Sequence, residues 1–319
     1  MLNGNRRIIL YVIAGLLLIY GIEHFVTLKE ISAQRYVLHT ITEIKVLCRN
    51  ERQGRRAVNA AFARLKGLEN KFNYFNPLSE LSLLNQQAYA QETAVSPEMY
   101  QILELALEGS RISGGAFDIT VTPITRMYGF GTGKQQAPSE KKIRAELPAV
   151  GWQNIRLNPE QQSIRLLHKN TKLDLGGIAK GYAVDEAVLV LRRYGIKNGL
   201  VNAGGNIYAL GKNRGQNWRV GIRHPRGATD NIQIIELSEN ACATSGDYEQ
   251  YFLDAKQQRY SHIFDPKTGR PANLNNGLAS VTVIADTAGR ADMLSTACFV
   301  LGEEKSAEIP GQKFFYKAE

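Results

Sequence analysis

An apolar run from Ile8 to Ile22, extended past Glu23 and His24 by Phe25 and Val26, most constrains what this chain can become. A helix that is apolar all round cannot lie on a soluble core with one face in water. With Phe25 and Val26 included, the run reaches the length of a membrane span. Arg6 and Arg7 precede it, and basic residues on that flank keep the N-terminus cytoplasmic. Ile31-Ser32-Ala33 is a poor cleavage site, which favours a retained signal anchor over a removed signal peptide. The expected order is therefore a cytoplasmic N-terminus at 1–7, a transmembrane signal anchor at 8–26, a stalk at 27–34 and a folded domain at 35–319. The domain is expected on the periplasmic side of a bacterial inner membrane.

The remainder of the chain is long and apolar enough for a sizeable core: 319 residues in all, 44% of them hydrophobic. This excludes a disordered chain, a fibre and a disulfide-stapled mini-protein. The net charge is +9, but no Lys/Arg tract carries interleaved aromatics, so nucleic acid is not an expected partner. Cys48, Cys242 and Cys298 lie far apart with no CxxC pair. They read as small buried apolar residues rather than zinc ligands.

Hydrophobic spacing predicts a strand over 36–48, helices over 55–74 and 97–113, a hairpin about Asn158-Pro159 and a helix over 178–194. Ser96-Pro97-Glu98 supplies a cap, a proline at the first helical position and an acid in the first turn. Further strands are expected at 200–202, 207–210, 218–223, 232–237 and 279–284, with a last helix over 290–301. Strands and helices mix without strict βαβ alternation, which predicts an α+β domain.

Four segments carry candidate chemistry. Asp174-Leu-Gly-Gly-Ile-Ala-Lys-Gly181 is a glycine-rich turn before a helix. Free amides and a helix dipole there suit a phosphate, with Lys180 adding charge. The spacing matches neither a dinucleotide fingerprint nor a Walker loop, and an ordinary helix start accounts for it equally. Asp292 and Thr296 stand four residues apart on one helix face. Their hard oxygens suit Mg²⁺, or else they form a plain surface hydrogen bond. His262 precedes the turn Asp265-Pro-Lys-Thr-Gly269 and is either a base or a structural histidine. Gly114-Gly-Ala-Phe-Asp118 sits at an expected helix-to-strand turn, where the aromatic and carboxylate hold a heterocycle or merely close the turn. There is no GxSxG and no HExxH, so serine-hydrolase and zincin chemistry lack support.

Taken together and in order, these segments resemble the ApbE family, the FAD:protein FMN transferases. The resemblance covers about residues 35–316. It also rests on Asn76-Pro-Leu-Ser-Glu-Leu-Ser-Leu-Leu-Asn85, Asn202-Ala-Gly-Gly-Asn206, Thr244-Ser-Gly-Asp-Tyr248, His262-Ile-Phe-Asp-Pro266 and Ala291-Asp-Met-Leu-Ser-Thr-Ala297.

It implies a single mixed α+β domain of the T-fold-like type, with FAD as substrate and Mg²⁺ as cofactor. The implied reaction moves FMN onto a Thr or Ser of a flavin-accepting subunit in a membrane electron-transfer complex and releases AMP. By position, the resemblance assigns Mg²⁺ to Gly177, Asp292 and Thr296. It assigns FAD contacts to Phe75, Ala116, Phe117, Asp118, Asp174, Lys180 and Ile263, with Asn85 and Thr244 supporting the pocket. His262 is the candidate for removing the acceptor hydroxyl's proton.

One departure stands out. Leu38-His39-Thr40 occupies the place of the family's Met-Gly-Thr, which implies that His39 narrows the wall beside the flavin. Two other functions use the same residues: a Mg²⁺-dependent FAD pyrophosphatase and a non-catalytic, membrane-tethered flavin-binding protein.

Overall fold

The computed structural model describes residues 28–130, 132–227 and 231–317. The expected cytoplasmic segment and the anchor at 8–26 lie outside the described residues. No helix among the described residues is long and apolar enough to cross a membrane.

In chain order, β1 (Lys29–Val37) and β2 (Thr40–Cys48) form a hairpin, followed by α1 (Glu51–Phe72) and α2 (Glu80–Gln87). Next come β3 (Thr93–Ala94), α3 (Pro97–Ile112), α4 (Thr122–Met127), α5 (Glu140–Glu146), β4 (Ile155–Asn158) and β5 (Ser163–Leu166). Helix α6 (Ala179–Arg193) leads into β6 (Asn198–Ala203), β7 (Asn206–Leu210), β8 (Trp218–Arg223), β9 (Asn231–Leu237) and β10 (Asn240–Gly246). Then follow the short strands β11 (Tyr251–Leu253), β12 (Arg259–Ser261), β13 (Phe264–Asp265) and β14 (Arg270–Pro271). The chain closes with α7 (Asn273–Asn276), β15 (Leu278–Ala285), α8 (Ala288–Leu301) and β16 (Gln312–Lys317).

The organising element is a seven-stranded sheet in the order β1-β2-β6-β7-β10-β15-β16, antiparallel throughout. Helices α1, α3, α6 and α8 cover one face and enclose the main core, which includes Ile44, Val46, Leu65, Val201, Ala241, Ala243, Val281 and Phe299. The β8–β9 hairpin covers the other face through Trp218, Val220, Ile222 and Leu237, packed on Ile207 and Cys242. All three cysteines are free and buried. The architecture is the mixed α+β type the patterning predicts.

Two sequence expectations fail at the N-terminal edge. The stalk placed at 27–34 is strand from Lys29 onward, and the single strand expected over 36–48 is a hairpin paired in register from Lys29↔Cys48 to Val37↔Thr40. As an edge strand, β1 exposes mostly charged and polar side chains and buries only Ile31 and Val37, so its pattern is too polar to read as a strand. The turn residues Leu38 and His39 both take left-handed conformations, at φ 59° and 57°. Glu69 of α1 holds this tip by accepting the Leu38 amide at 2.9 Å. Burial opposes the Glu69 charge, but Lys66 and the two turn amides outweigh it and keep the carboxyl below its usual range. The helix-to-strand turn expected after Gly114 leads instead into the short helix α4.

Candidate active site

The site is built where α6 and α8 cross beneath one end of the sheet. Its approach is set by Asn85 on α2, whose side-chain nitrogen donates to the Leu173 carbonyl at 2.8 Å and whose Oδ1 accepts the Leu173 amide at 2.7 Å. A buried amide thus replaces a missing strand partner and delivers Asp174. Its Oδ1 accepts the Gly176 amide at 2.8 Å, and its own amide donates to Ile119 at 2.8 Å. Burial pushes the Asp174 carboxyl up, while the Gly176 amide and Lys180 pull it back. The turn then enters α6, whose first turn contains Lys180. The Lys180 Nζ donates to the Gly176 carbonyl at 3.4 Å.

The Gly181 amide donates to Asp292 Oδ2 at 2.9 Å. A Cβ at Gly181 would sit 2.2 Å from the Ala288 carbonyl oxygen, so only glycine lets the helices approach this closely. One turn further along α6, the Asp185 carboxylate accepts the Ala288 and Gly289 amides, each at 2.8 Å. It caps α8 together with Thr287, whose hydroxyl accepts the Arg290 amide. The position of Asp292 is therefore fixed from both directions.

Asp292 is 5% exposed. With its nitrogen turned inward, the Asn206 carboxamide donates to the Asp292 carboxylate oxygens at 3.0 and 3.3 Å. Burial pushes the Asp292 carboxyl up, opposed by Lys180 and the Gly181 amide. Thr296 lies one helical turn on. A Cβ at Gly177 would be 3.4 Å from the Thr296 hydroxyl oxygen and 3.2 Å from the Phe117 ring. Gly177 thus lies close to both Thr296 and Phe117, and Phe117 is buried.

Asp292, Thr296 and the Gly177 main chain offer hard oxygens around a buried carboxylate. That donor set fits Mg²⁺, which completes its shell with water and substrate oxygens. Among the described residues, no group of three His, Cys, Asp or Glu could hold a metal.

His262 approaches from the segment after β12. Its Nδ1 lies 3.1 Å from the Gln250 carbonyl oxygen. A carbonyl only accepts, so Nδ1 carries the proton and Nε2 presents its lone pair. Burial, with the Lys180 charge adding, pushes its pKa down to about 4, so the ring is neutral near pH 7. The following Ile263 is buried, and its carbonyl accepts the Ala272 amide at 2.9 Å.

The turn after Ile263 brings Pro266 and Lys267 to a cavity of about 230 Å³ that Gly114, Gly115, Asp118 and Trp152 also line. Two segments far apart in sequence therefore share one hollow. Asp118 shapes it by accepting the Thr120 amide at 2.8 Å, the Thr120 hydroxyl at 2.6 Å and the Trp152 amide at 2.6 Å. Burial raises its carboxyl against those three bonds. Ala116 is buried beside it. Phe75 is 66% exposed and meets the Tyr74 ring edge-on at 5.5 Å between centroids.

Thr244 lies elsewhere. Strand alternation turns it to the opposite face of the sheet, where its hydroxyl bonds Thr282 at 2.7 Å. Its neighbour Ser245 takes the inward position, 3.2 Å from the Thr296 hydroxyl. Sequence reasoning also passed over Asn206, Asp185 and Gly181 as site residues, although Asn206 and Gly181 lie within the segments that carry the resemblance.

The chain is similar to known proteins over most of its length. The sequence matches the ApbE family across residues 38–313. A FAD:protein FMN transferase of Haemophilus influenzae is 34% identical over 253 residues, covering 77% of this chain and 72% of the relative. One from Vibrio cholerae is 35% identical, covering 77% and 73%. The crystal structure of the ApbE protein from Thermotoga maritima superposes with a TM-score of 0.82 at 32% identity, covering 90% of this chain and 94% of that one. The Vibrio cholerae flavin transferase ApbE gives 0.78 at 29% identity, covering 91% and 97%. The chain belongs to the ApbE family.

Proposed function

We propose that this chain is a FAD:protein FMN transferase that moves the FMN half of FAD onto a Thr or Ser hydroxyl of a second protein. The acceptor oxygen forms a bond to the flavin-side phosphorus, the pyrophosphate P–O bond breaks, and AMP leaves. The observation that carries this reading is the convergence of Asp292, Thr296, Gly177 and Lys180 where α6 meets α8, with His262 near enough to feel the Lys180 charge.

Phosphoryl transfer depends mainly on positioning and on charge neutralisation. Lys180 offers a fixed positive charge for the pyrophosphate. His262 Nε2 takes the proton from the acceptor hydroxyl as the new O–P bond forms, and the Gln250 carbonyl holds the ring in that tautomer. Asp292, Thr296 and the Gly177 carbonyl are the residues that would hold Mg²⁺. When bound, it offsets charge on the pyrophosphate oxygens. Asp118, Phe117, Ala116, Asp174, Ile263 and the exposed Phe75 supply the polar and aromatic surfaces for the two ends of FAD. Residues 8–26 tether the domain to the inner membrane on its periplasmic side, and the acceptor is a subunit of a membrane electron-transfer complex.

Incubating the protein with FAD, Mg²⁺ and a candidate acceptor and then weighing the intact acceptor tests this reading. A gain of one FMN residue that EDTA abolishes is expected. Free FMN and AMP with an unmodified acceptor would instead make the chain a FAD pyrophosphatase.

A further inference from the structure

Behind Thr296 stand two hydroxyls that the site described so far does not use. Ser245 Oγ lies 2.8 Å from Ser295 Oγ and 3.2 Å from Thr296 Oγ1. Ser295 donates to the Asp292 main-chain carbonyl at 2.9 Å, and Thr296 donates to that same carbonyl at 3.3 Å. Ser295 is fully buried and Ser245 nearly so, at 8% exposure.

We infer that Ser245 is a positioning residue, which shares the Thr296 hydroxyl proton with the Asp292 carbonyl and so turns the Thr296 lone pairs toward Gly177 and Asp292. The inference rests on the reading of Thr296 as a Mg²⁺ ligand.

Each hydroxyl has one proton to give and two lone pairs to offer. The shortest bond to the carbonyl is that from Ser295, so its proton belongs there. Ser295 Oγ then faces Ser245 as an acceptor, and Ser245 donates to it. Ser245 in turn has only lone pairs left for Thr296. The three protons run in one direction, from Thr296 through Ser245 and Ser295 to the Asp292 carbonyl. With the Ser245 proton on Thr296 instead, either the 2.8 Å contact between Ser245 and Ser295 or the 2.9 Å bond to the carbonyl would lack a proton. In a buried site such a chain is mutually reinforcing. It also shares the Asp292 residue with the ligand set, so carboxylate and hydroxyl are held by one local structure. Partners behind a metal ligand commonly govern affinity by about 10- to 100-fold when removed.

The test is Mg²⁺ titration of the FAD-loaded protein without acceptor, read as the rise in thermal midpoint, for the parent, Ser245→Ala, Thr296→Val and the double variant. FAD affinity in EDTA is measured alongside by flavin fluorescence. The expected result is about a ten-fold weaker Mg²⁺ response in Ser245→Ala, unchanged FAD affinity in EDTA, and no further loss when Ser245→Ala is added to Thr296→Val. Ser245→Thr, which keeps the hydroxyl, should recover most of the response. An unaltered Mg²⁺ response in Ser245→Ala, or an equal loss on both Thr296 backgrounds, overturns the inference while leaving the metal reading intact. No Mg²⁺ response in the parent overturns the metal reading itself.

Discussion

The main-chain amide of Gly181 donates to the Asp292 carboxylate across the crossing of α6 and α8, 2.9 Å from nitrogen to oxygen. The bond couples the helix that carries Lys180 to the helix that carries Asp292 and Thr296. It exists because no side chain intervenes. In a Gly181→Ala variant the new Cβ would lie 2.8 Å from the Asp292 Cβ and closer still to the Ala288 carbonyl. The helices must move apart, at a cost of about 1–3 kcal/mol. Urea unfolding should show that loss, and flavin transfer should fall further than stability alone explains.

The His262→Asn variant should slow flavin transfer by roughly 10²- to 10⁴-fold, the usual contribution of a positioned base. FAD affinity should change little. Equal loss of both would make His262 a binding residue instead.

His262 also gives a signed pH dependence. Its folded pKa lies near 4, below the usual value of about 6.5. As pH falls through 6.5 the unfolded chain takes up this proton first, so the histidine's contribution is full above 6.5 and is lost toward pH 4. Denaturant titrations of parent and His262→Asn between pH 7 and pH 4 should show a shallower decline in the variant.

At the hairpin tip, His39 is exposed in a left-handed conformation that costs an L-residue about 1 kcal/mol. His39→Gly should therefore raise stability by up to about 1 kcal/mol, less the greater freedom of glycine in the unfolded chain. A thermal midpoint below that of the parent would show that the imidazole makes a compensating contact.

Arg226 meets Asp247 with two bonds, at 2.7 and 2.8 Å, and the Asp247 side chain is almost fully buried. Arg226→Ala leaves that buried carboxylate with only Arg259, 4.0 Å away, and should destabilise the protein by about 3 kcal/mol. Arg226→Ala combined with Asp247→Ala should be less damaging than Arg226→Ala alone, which a pair of thermal melts would show.

Much of this architecture is legible in the residues. Ser96 and Pro97 start α3 as capping chemistry requires, and the Ser96 hydroxyl accepts the Met99 amide. Gly195, at φ 76°, follows the end of α6. Strand β10 is a different case. Its sequence, Asn-Ala-Cys-Ala-Thr-Ser-Gly, has Thr244 as its single β-branched residue and no aromatic, a weak strand signal. It is a central strand nonetheless, because Ala241, Ala243 and Ser245 must be small where α8 presses on the sheet. With no strand expected over that segment, the alternation that separates Thr244 from Ser245 stays hidden in the sequence. Asp292 and Thr296 could be paired from their helical spacing. Asn206, which meets Asp292 from another strand, and Asp185, which caps α8, depend on tertiary packing that spacing does not encode. The edge strand β1 escaped notice because its charged face protects an open edge.

The central claim is that the α6–α8 crossing is where the flavin phosphate is transferred. A single-turnover reaction with FAD, Mg²⁺ and acceptor protein tests it most directly, comparing the parent with Asp292→Ala and reading covalent flavin on the acceptor by intact mass. The account predicts one FMN per acceptor in the parent and none in Asp292→Ala at any Mg²⁺ concentration, with both proteins folded. Transfer by Asp292→Ala at the parental rate, or parental transfer that persists in EDTA, would contradict it.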